Sequence, residues 1–371
     1  MRQFAIVLGL VLAGSIAFSP TALSAADVAQ SSRYSLLDPI HSGNLTVFPV
    51  VSSKSYDTGD FITLDEGIRS GDVVVTEAGQ NRGLIRRHPD SITAPPVRDA
   101  EVNRLVLVNN SKKPLLLLAG EIVTGGKQDR VIGRDRIVPP ESDPVDLSVF
   151  CVEPGRWVPT NGKNDFSAGR GIVGGLVASP SVRGSAMAEK NQQQVWDNVA
   201  KSKEAMAAAP MVATDSSAMS EVSSTSSYAR VMENKDVQKQ VDSVAAPIER
   251  NYESVIHQLR DKNAVGVVVA VNGEIVWADI FASTQLLQKY WPKLIRSYAT
   301  EAVITRAKAV QVSTKEAQRF LDNVEARREV SEIEPGVYKQ TEISGDGFKL
   351  FELTSLLPKT GFPVHIAKMV E

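Results

Sequence analysis

The chain has 371 residues, 43% of them hydrophobic and 23% charged, with a formal net charge of -2. This is globular composition with enough apolar material for a core, and its near-neutral balance excludes a global field that would attract nucleic acid or anionic lipid. Cys151 is the only cysteine, which excludes an internal disulfide and leaves stability to packing.

The N-terminus reads as an export signal. Arg2 gives a positive start, and residues 4–18 are an apolar run broken only by small residues. Pro20, Ala22, Ser24, Ala25 and Ala26 follow, as a signal-peptidase site requires. The run is shorter than the roughly 20 residues of a membrane span, and no basic stop follows it. A signal peptide over residues 1–26 is expected, giving a periplasmic or extracellular protein with no stable membrane span after cleavage. No cysteine lies at the cleavage site, so a lipid anchor there is excluded. A free thiol is a liability in an oxidising compartment, so Cys151 is expected to be buried.

Residues 27–32 read as a frayed tail. Alternation around Pro39 and Gly43, with Leu45, Val47, Phe48 and Val50, predicts an opening strand pair over residues 34–51. Residues 61–67 suggest a strand end entering a short helix, and residues 72–77 a strand. Residues 101–108 predict a strand closed by the turn Asn109-Asn110-Ser111. The next strand starts after Pro114, continues past Gly120 over residues 121–124, and ends at the tight turn Gly125-Gly126, where a positive φ is expected. Short strands follow at 130–132 and 136–138. Residues 145–153 form the clearest strand, with Val145, Leu147, Val149, Cys151 and Glu153 on one face. Many short strands separated by turns argue for an antiparallel sandwich or barrel.

Residues 161–180, rich in glycine and small residues, read as a long surface loop. Helix formers around Val195, Trp196, Val199 and Met206 predict a helix over 187–209, ended by Pro210. The serine-rich stretch near 211–227 reads as a flexible linker. A second helical region over 228–262 is interrupted at Pro247. Residues 265–281 are two strands around Asn272-Gly273, a strong hairpin signal. A helix over 283–300 should be kinked by Pro292. Ser313 with Glu316 fits a capping box for a helix reaching about residue 330. Residues 337–355 form a final hairpin. The order is that of an α+β protein. We expect a single domain over 34–330, built on an antiparallel β-sandwich or barrel-like sheet with a helical insertion and C-terminal helices. A C-terminal hairpin extension over 331–371 follows.

Several motifs fail on inspection. Counting back from Lys127, a phosphate-binding loop needs glycine where Glu121 stands, and Gln128 replaces the metal-binding hydroxyl. Gly169, Gly171 and Gly174 satisfy G-x-G-x-x-G, but no strand precedes them and Pro180 follows soon after. The chain has only His41, His88, His257 and His365, with no zinc-type spacing, so no metal site is expected. Glu121, Asp129, Asp135 and Glu153 are weak candidates for a hard cation. Cys151 has apolar neighbours and reads as a core residue.

The densest polar constellation spans residues 115–157. Glu121, Lys127, Gln128, Asp129, Arg130, Glu153, Arg156 and Trp157 are the candidate ligand-binding residues. Arg130 or Arg156 would grip a phosphate or carboxylate, and Trp157 offers a face for a ring or sugar. Glu121, Glu153 and Asp129 are the candidate catalytic carboxylates. The competing reading is a buried Glu–Arg network that fixes the sheet. The segments LLLLAGEIVTGGKQDR, RIVPP and VFCVEPGRW, with the later QVWDNVAKSK, GVVVAVNGEIVWADIF and LLQKYWPKLIRSYATEA, resemble the ARG and Rhodanese-Phosphatase-superfamily-associated protein domain. The resemblance spans roughly residues 34–326. It implies an association with ADP-ribosylglycohydrolase and phosphatase-like domains, hence a nucleotide-derived or phosphorylated ligand, and carries over no catalytic residue or cofactor.

Three functions are thereby open. The first is an exported binding module for a small polar or anionic ligand at residues 125–130 and 153–157. The second is a hydrolase with Glu121 or Glu153 as general base. The third is an interaction module using the helices of 187–259.

Overall fold

The computed structural model describes residues 33–78, 104–158, 165–169, 172, 174–259, 262–308 and 310–371. The expected signal peptide and tail, residues 161–164, 170, 171 and 173 of the predicted loop, and His88 lie outside the described residues.

Two sheets organise these residues. The larger has nine strands. Its path runs Tyr34–Leu36, Leu45–Ser52, Asn263–Val271, Glu274–Phe281, Pro363–Val370, Phe348–Ser355, Tyr338–Ser344 and Arg328–Glu334, with Ile40–Ser42 beside Leu45–Ser52. All its pairs are antiparallel. The Asn272-Gly273 hairpin forms as expected, with both residues at positive φ. Its strands are apolar on both sides because both faces are covered. Val267, Val269 and Trp277 enter the main core under the helices. Val268, Ala270 and Ala278 enter a second core with Ala317 and Leu321 of the helix Thr314–Asp322.

The second sheet has six strands, in the order Phe166–Ala168, Ile122–Gly125, Arg130–Ile132, Val145–Cys151, Arg104–Asn109 and Val73–Glu77. A bridge between Thr76 and Asp165 brings its two edges together, so the sheet is a nearly closed barrel. Leu105, Leu107, Val123, Val149 and Phe166 fill the interior. A small three-stranded sheet, Arg136–Val138, Leu115–Leu117 and Ile62–Thr63, adjoins it and holds a parallel pair. The architecture is thus α+β with a barrel-like sheet and C-terminal helices.

The helices lie over the large sheet. Lys235–His257 runs unbroken through Pro247, and Thr284–Ile304 through Pro292. Each proline costs one hydrogen bond, and packing offsets it: Tyr252 and Trp291 stack at 4.2 Å between the two helices. The stretch near 211–227 is largely helical, as Pro210–Ala213 and Ser216–Ser224, where the sequence suggested a linker. Asp215 caps the second helix, and Ala218 and Val222 are buried from it. The helix starting at Thr314 stops at Asp322, because Arg328–Glu334 instead pairs with Tyr338–Ser344. The C-terminal hairpin is joined by Pro363–Val370, which inserts beside Glu274–Phe281 and ties the end of the chain to the centre of the sheet. Among the described residues no helix is long and apolar enough to cross a membrane.

Candidate functional site at the double-glycine turn

The hairpin joining Ile122–Gly125 to Arg130–Ile132 carries most of the candidate residues. Its turn admits only glycine. Gly125 has φ 134 and Gly126 has φ 45. A Cβ on Gly125 would stand 2.4 Å from the Asp165 carbonyl oxygen, and one on Gly126 2.3 Å from the Phe166 ring.

Arg156 locks the turn. Its Nη1 donates to the carbonyls of Gly126 at 2.8 Å and Val158 at 2.7 Å. Its Nη2 donates to the Gly125 carbonyl at 3.1 Å and to Glu153 Oε2 at 2.6 Å, with Asp129 Oδ1 at 3.5 Å. Asp129, fully buried, also accepts from the Gly125 amide at 3.0 Å and from the Ser227 hydroxyl at 2.6 Å. Glu153 accepts from the Asp129 amide at 3.1 Å, and the Gln128 amide group donates to the Glu153 carbonyl at 3.2 Å. Burial pushes the Glu153 carboxyl up, but Arg156 and the Asp129 amide outweigh it and hold it below the usual range. An ionised carboxylate so held is a good acceptor for positioning and a weak proton acceptor.

Above this clamp lies a basic, aromatic surface. Trp157 is 41% exposed. The Lys127 ammonium stands 5.0 Å from its ring centre, and the guanidinium of the buried Arg130 stands 5.8 Å from it. The Lys127 amide donates to Glu77 Oε1 at 2.7 Å, which anchors the turn to the barrel. The structure therefore gathers Lys127, Gln128, Asp129, Arg130, Glu153, Arg156 and Trp157 at one end of the barrel.

Glu121 stands apart, at the opposite end of the hairpin. Its Oε2 accepts from the Leu118 amide at 2.8 Å and its Oε1 from Lys293 Nζ at 2.7 Å. Lys293 also donates to Asp65 at 2.7 Å. Asp65 pairs in addition with Arg69 at 3.1 Å. Burial raises the Glu121 carboxyl against the pull of Lys293, and the two acids, against burial, raise Lys293.

A second buried network abuts residues 118–121, beside Glu121. Arg183 holds Asp279 in bidentate fashion at 2.7 and 2.9 Å, and its Nε donates to the Ala119 carbonyl at 2.7 Å. His365 lies between Asp135 at 2.6 Å and Asp279 at 3.0 Å, and the Tyr298 hydroxyl donates to Asp279. Asp135 accepts from the Ala119 amide at 2.7 Å. The residues 118–121 are thus held by ions from both sides, and Gly120, at φ 94, is required because a Cβ there would meet Arg183 at 2.6 Å. Burial favours neutral imidazole, but the flanking carboxylates overcome it and lift His365 to about 9. Burial likewise opposes ionised Asp279, and Arg183 and His365 hold it well below the usual carboxylate range.

None of Asp65, Arg183, Asp279 or Lys293 stood out in the sequence. For two of them the signal was present: Asp279 and Lys293 are charges inside apolar runs, in VWADIF and YWPKLI, whereas Asp65 and Arg183 stand in polar or small-residue stretches. Cys151 is buried, its Sγ accepts from the Glu153 amide at 3.3 Å, and burial pushes its thiol up. Among the described residues, no group of three or more His, Cys, Asp or Glu is placed to hold a metal ion.

Fold and site define an α+β protein with a nearly closed barrel, whose end carries a cation-flanked tryptophan over an ion-paired turn. The chain belongs to the ARPP-1 family, the ARG and Rhodanese-Phosphatase-superfamily-associated Protein domain, whose family model matches residues 33–367. No curated protein and no solved structure matches it.

Proposed function

We propose that this chain is a binding module for a small planar anion at the barrel end. The observation that carries the reading is the exposed Trp157 indole with Lys127 and Arg130 within 5.0 and 5.8 Å of its ring centre. A ring stacked on Trp157 would bring its anionic group to Lys127, the more accessible cation. Gln128, Asp129, Glu153 and Arg156 are assigned to positioning, since their hydrogen bonds hold the turn. The family's association with phosphatase-superfamily proteins favours a phosphorylated or nucleotide-derived anion. A general base at Glu121 loses support, because Lys293 and the Leu118 amide already occupy its oxygens. Export belongs to the same proposal and rests on the sequence of residues 1–26. N-terminal sequencing of the protein recovered from the periplasm or medium tests it.

The binding test is calorimetry with adenosine monophosphate, ribose phosphate and inorganic phosphate, on the parent and on Trp157→Ala and Lys127→Ala. The reading expects binding of at least one ringed phosphate. Each substitution should weaken it about tenfold or more with an unchanged melting temperature. No binding by the parent, or equal binding by both variants, rejects it.

A further inference from the structure

We propose that a groove between the barrel and the C-terminal strands is a second binding site, for a compact apolar amine. Its cavity volume is about 190 Å³. That is below the roughly 300–1,000 Å³ of sites for drug-sized ligands, so it suits a small molecule and not a nucleotide. None of its lining residues belongs to the Trp157 cluster, so the two sites stand or fall separately.

Strand register builds one wall. Val330 is paired with Glu342, Glu342 with Phe351, and Glu332 with Gln340. Directly paired residues share a face, as do residues two apart in one strand. These five side chains therefore face the groove together. The other wall holds Phe150 from the barrel and Met187 from the π-helical turn Ser185–Glu189. Such turns are rare and concentrate at functional sites.

The polar atoms set the sign of the ligand. Gln340 Oε1 is buried and has no hydrogen-bond partner. Glu342 is 26% exposed at its side chain, while Lys190, its partner at 2.8 Å, is 59% exposed. Glu332 and Arg134 pair further out, at 67% and 36% exposure. The innermost polar groups are thus acceptors, an amide oxygen and a carboxylate, and the paired cations lie outside them. The faces of Phe150 and Phe351 also attract a cation. An ammonium group entering the groove donates to Gln340 and Glu342 while its apolar body packs on Phe150, Met187 and Phe351. A carboxylate of the same shape meets Glu342 and an acceptor with no proton to share.

The test is calorimetry on the whole chain with phenethylamine, and with phenylpropionate as the matched anion. The amine should bind saturably and raise the melting temperature, and the anion should do neither. Glu342→Gln should weaken amine binding roughly tenfold. Ser148→Trp, at an exposed position lining the groove, should abolish it while leaving the unliganded melting temperature unchanged. Trp157→Ala should leave amine binding intact. The proposal is overturned if the amine does not bind, if the anion binds as tightly, or if either groove variant binds the amine like the parent.

Discussion

The sharpest consequence of the buried ion network is a pH dependence of stability carried by His365. Both ring nitrogens face carboxylates, Asp135 at 2.6 Å and Asp279 at 3.0 Å, with Arg183 and the Tyr298 hydroxyl completing the shell around Asp279. The imidazolium is held to about 9 in the folded chain against an ordinary 6.5. At about 1.36 kcal/mol per pH unit, the difference is worth on the order of 3 kcal/mol. A raised folded value means the unfolded chain sheds its proton first. The contribution is therefore complete below about pH 6.5 and is lost as pH rises through about 9. Asp279 carries the opposite dependence, but its window lies in acid, below the ordinary carboxylate range. Lys368, which burial holds down to about 7, titrates through the same alkaline range with the opposite sign. The parent curve alone therefore does not isolate His365. Urea unfolding of the parent and of His365→Gln at about pH 6 and about pH 9.5 cancels the lysine. The gap between the two proteins should shrink by about 3 kcal/mol from the lower to the higher pH. Lys368→Met, with the opposing lysine removed, should by itself lose a similar amount of stability over that range. A gap that is the same at both pH values would show that His365 is not a buried cation, and the reasoning fails.

Other outcomes follow from the same geometry. Lys293→Met strands the buried Glu121 and leaves Asp65 with Arg69 alone, and should cost about 3–5 kcal/mol in chemical unfolding; adding Glu121→Gln should recover part of that loss, and a strictly additive double variant argues against coupling. Gly125→Ala forces a Cβ to 2.4 Å from the Asp165 carbonyl. With the positive φ at that site, it should destabilise by more than about 1 kcal/mol, with the loss read from the urea midpoint. Cys151 should resist a thiol reagent in the folded chain and react only on unfolding, because burial both shields and protonates it; rapid labelling of native protein would contradict this.

Much of the barrel end was legible because its cues are local. The Gly125-Gly126 turn, the strand ending at Cys151 and the charges around them lie within one short stretch of chain, and a hairpin brings such residues together by register alone. Glu121 was grouped with that cluster for the same reason, and the grouping failed. A hairpin has two ends, and spacing along the chain does not say which end a charge faces. Its partner Lys293 lies 172 residues away in sequence. Tertiary contact outweighs local preference at Pro247, where a break was expected and the helix continues, and near residues 211–227, where buried Ala218 and Val222 hold a serine-rich helix in place of a linker.

By itself the sequence determined the α+β class, the Asn272-Gly273 hairpin, the glycine turn and the family, because turn chemistry and apolar periodicity act over a few residues. Only the tertiary structure decided which charges meet. Asp135, Arg183, Asp279 and His365 come from four distant segments. A buried ion is tolerated only beside its counter-ion, and that pairing exists only once the sheets and helices have closed around it.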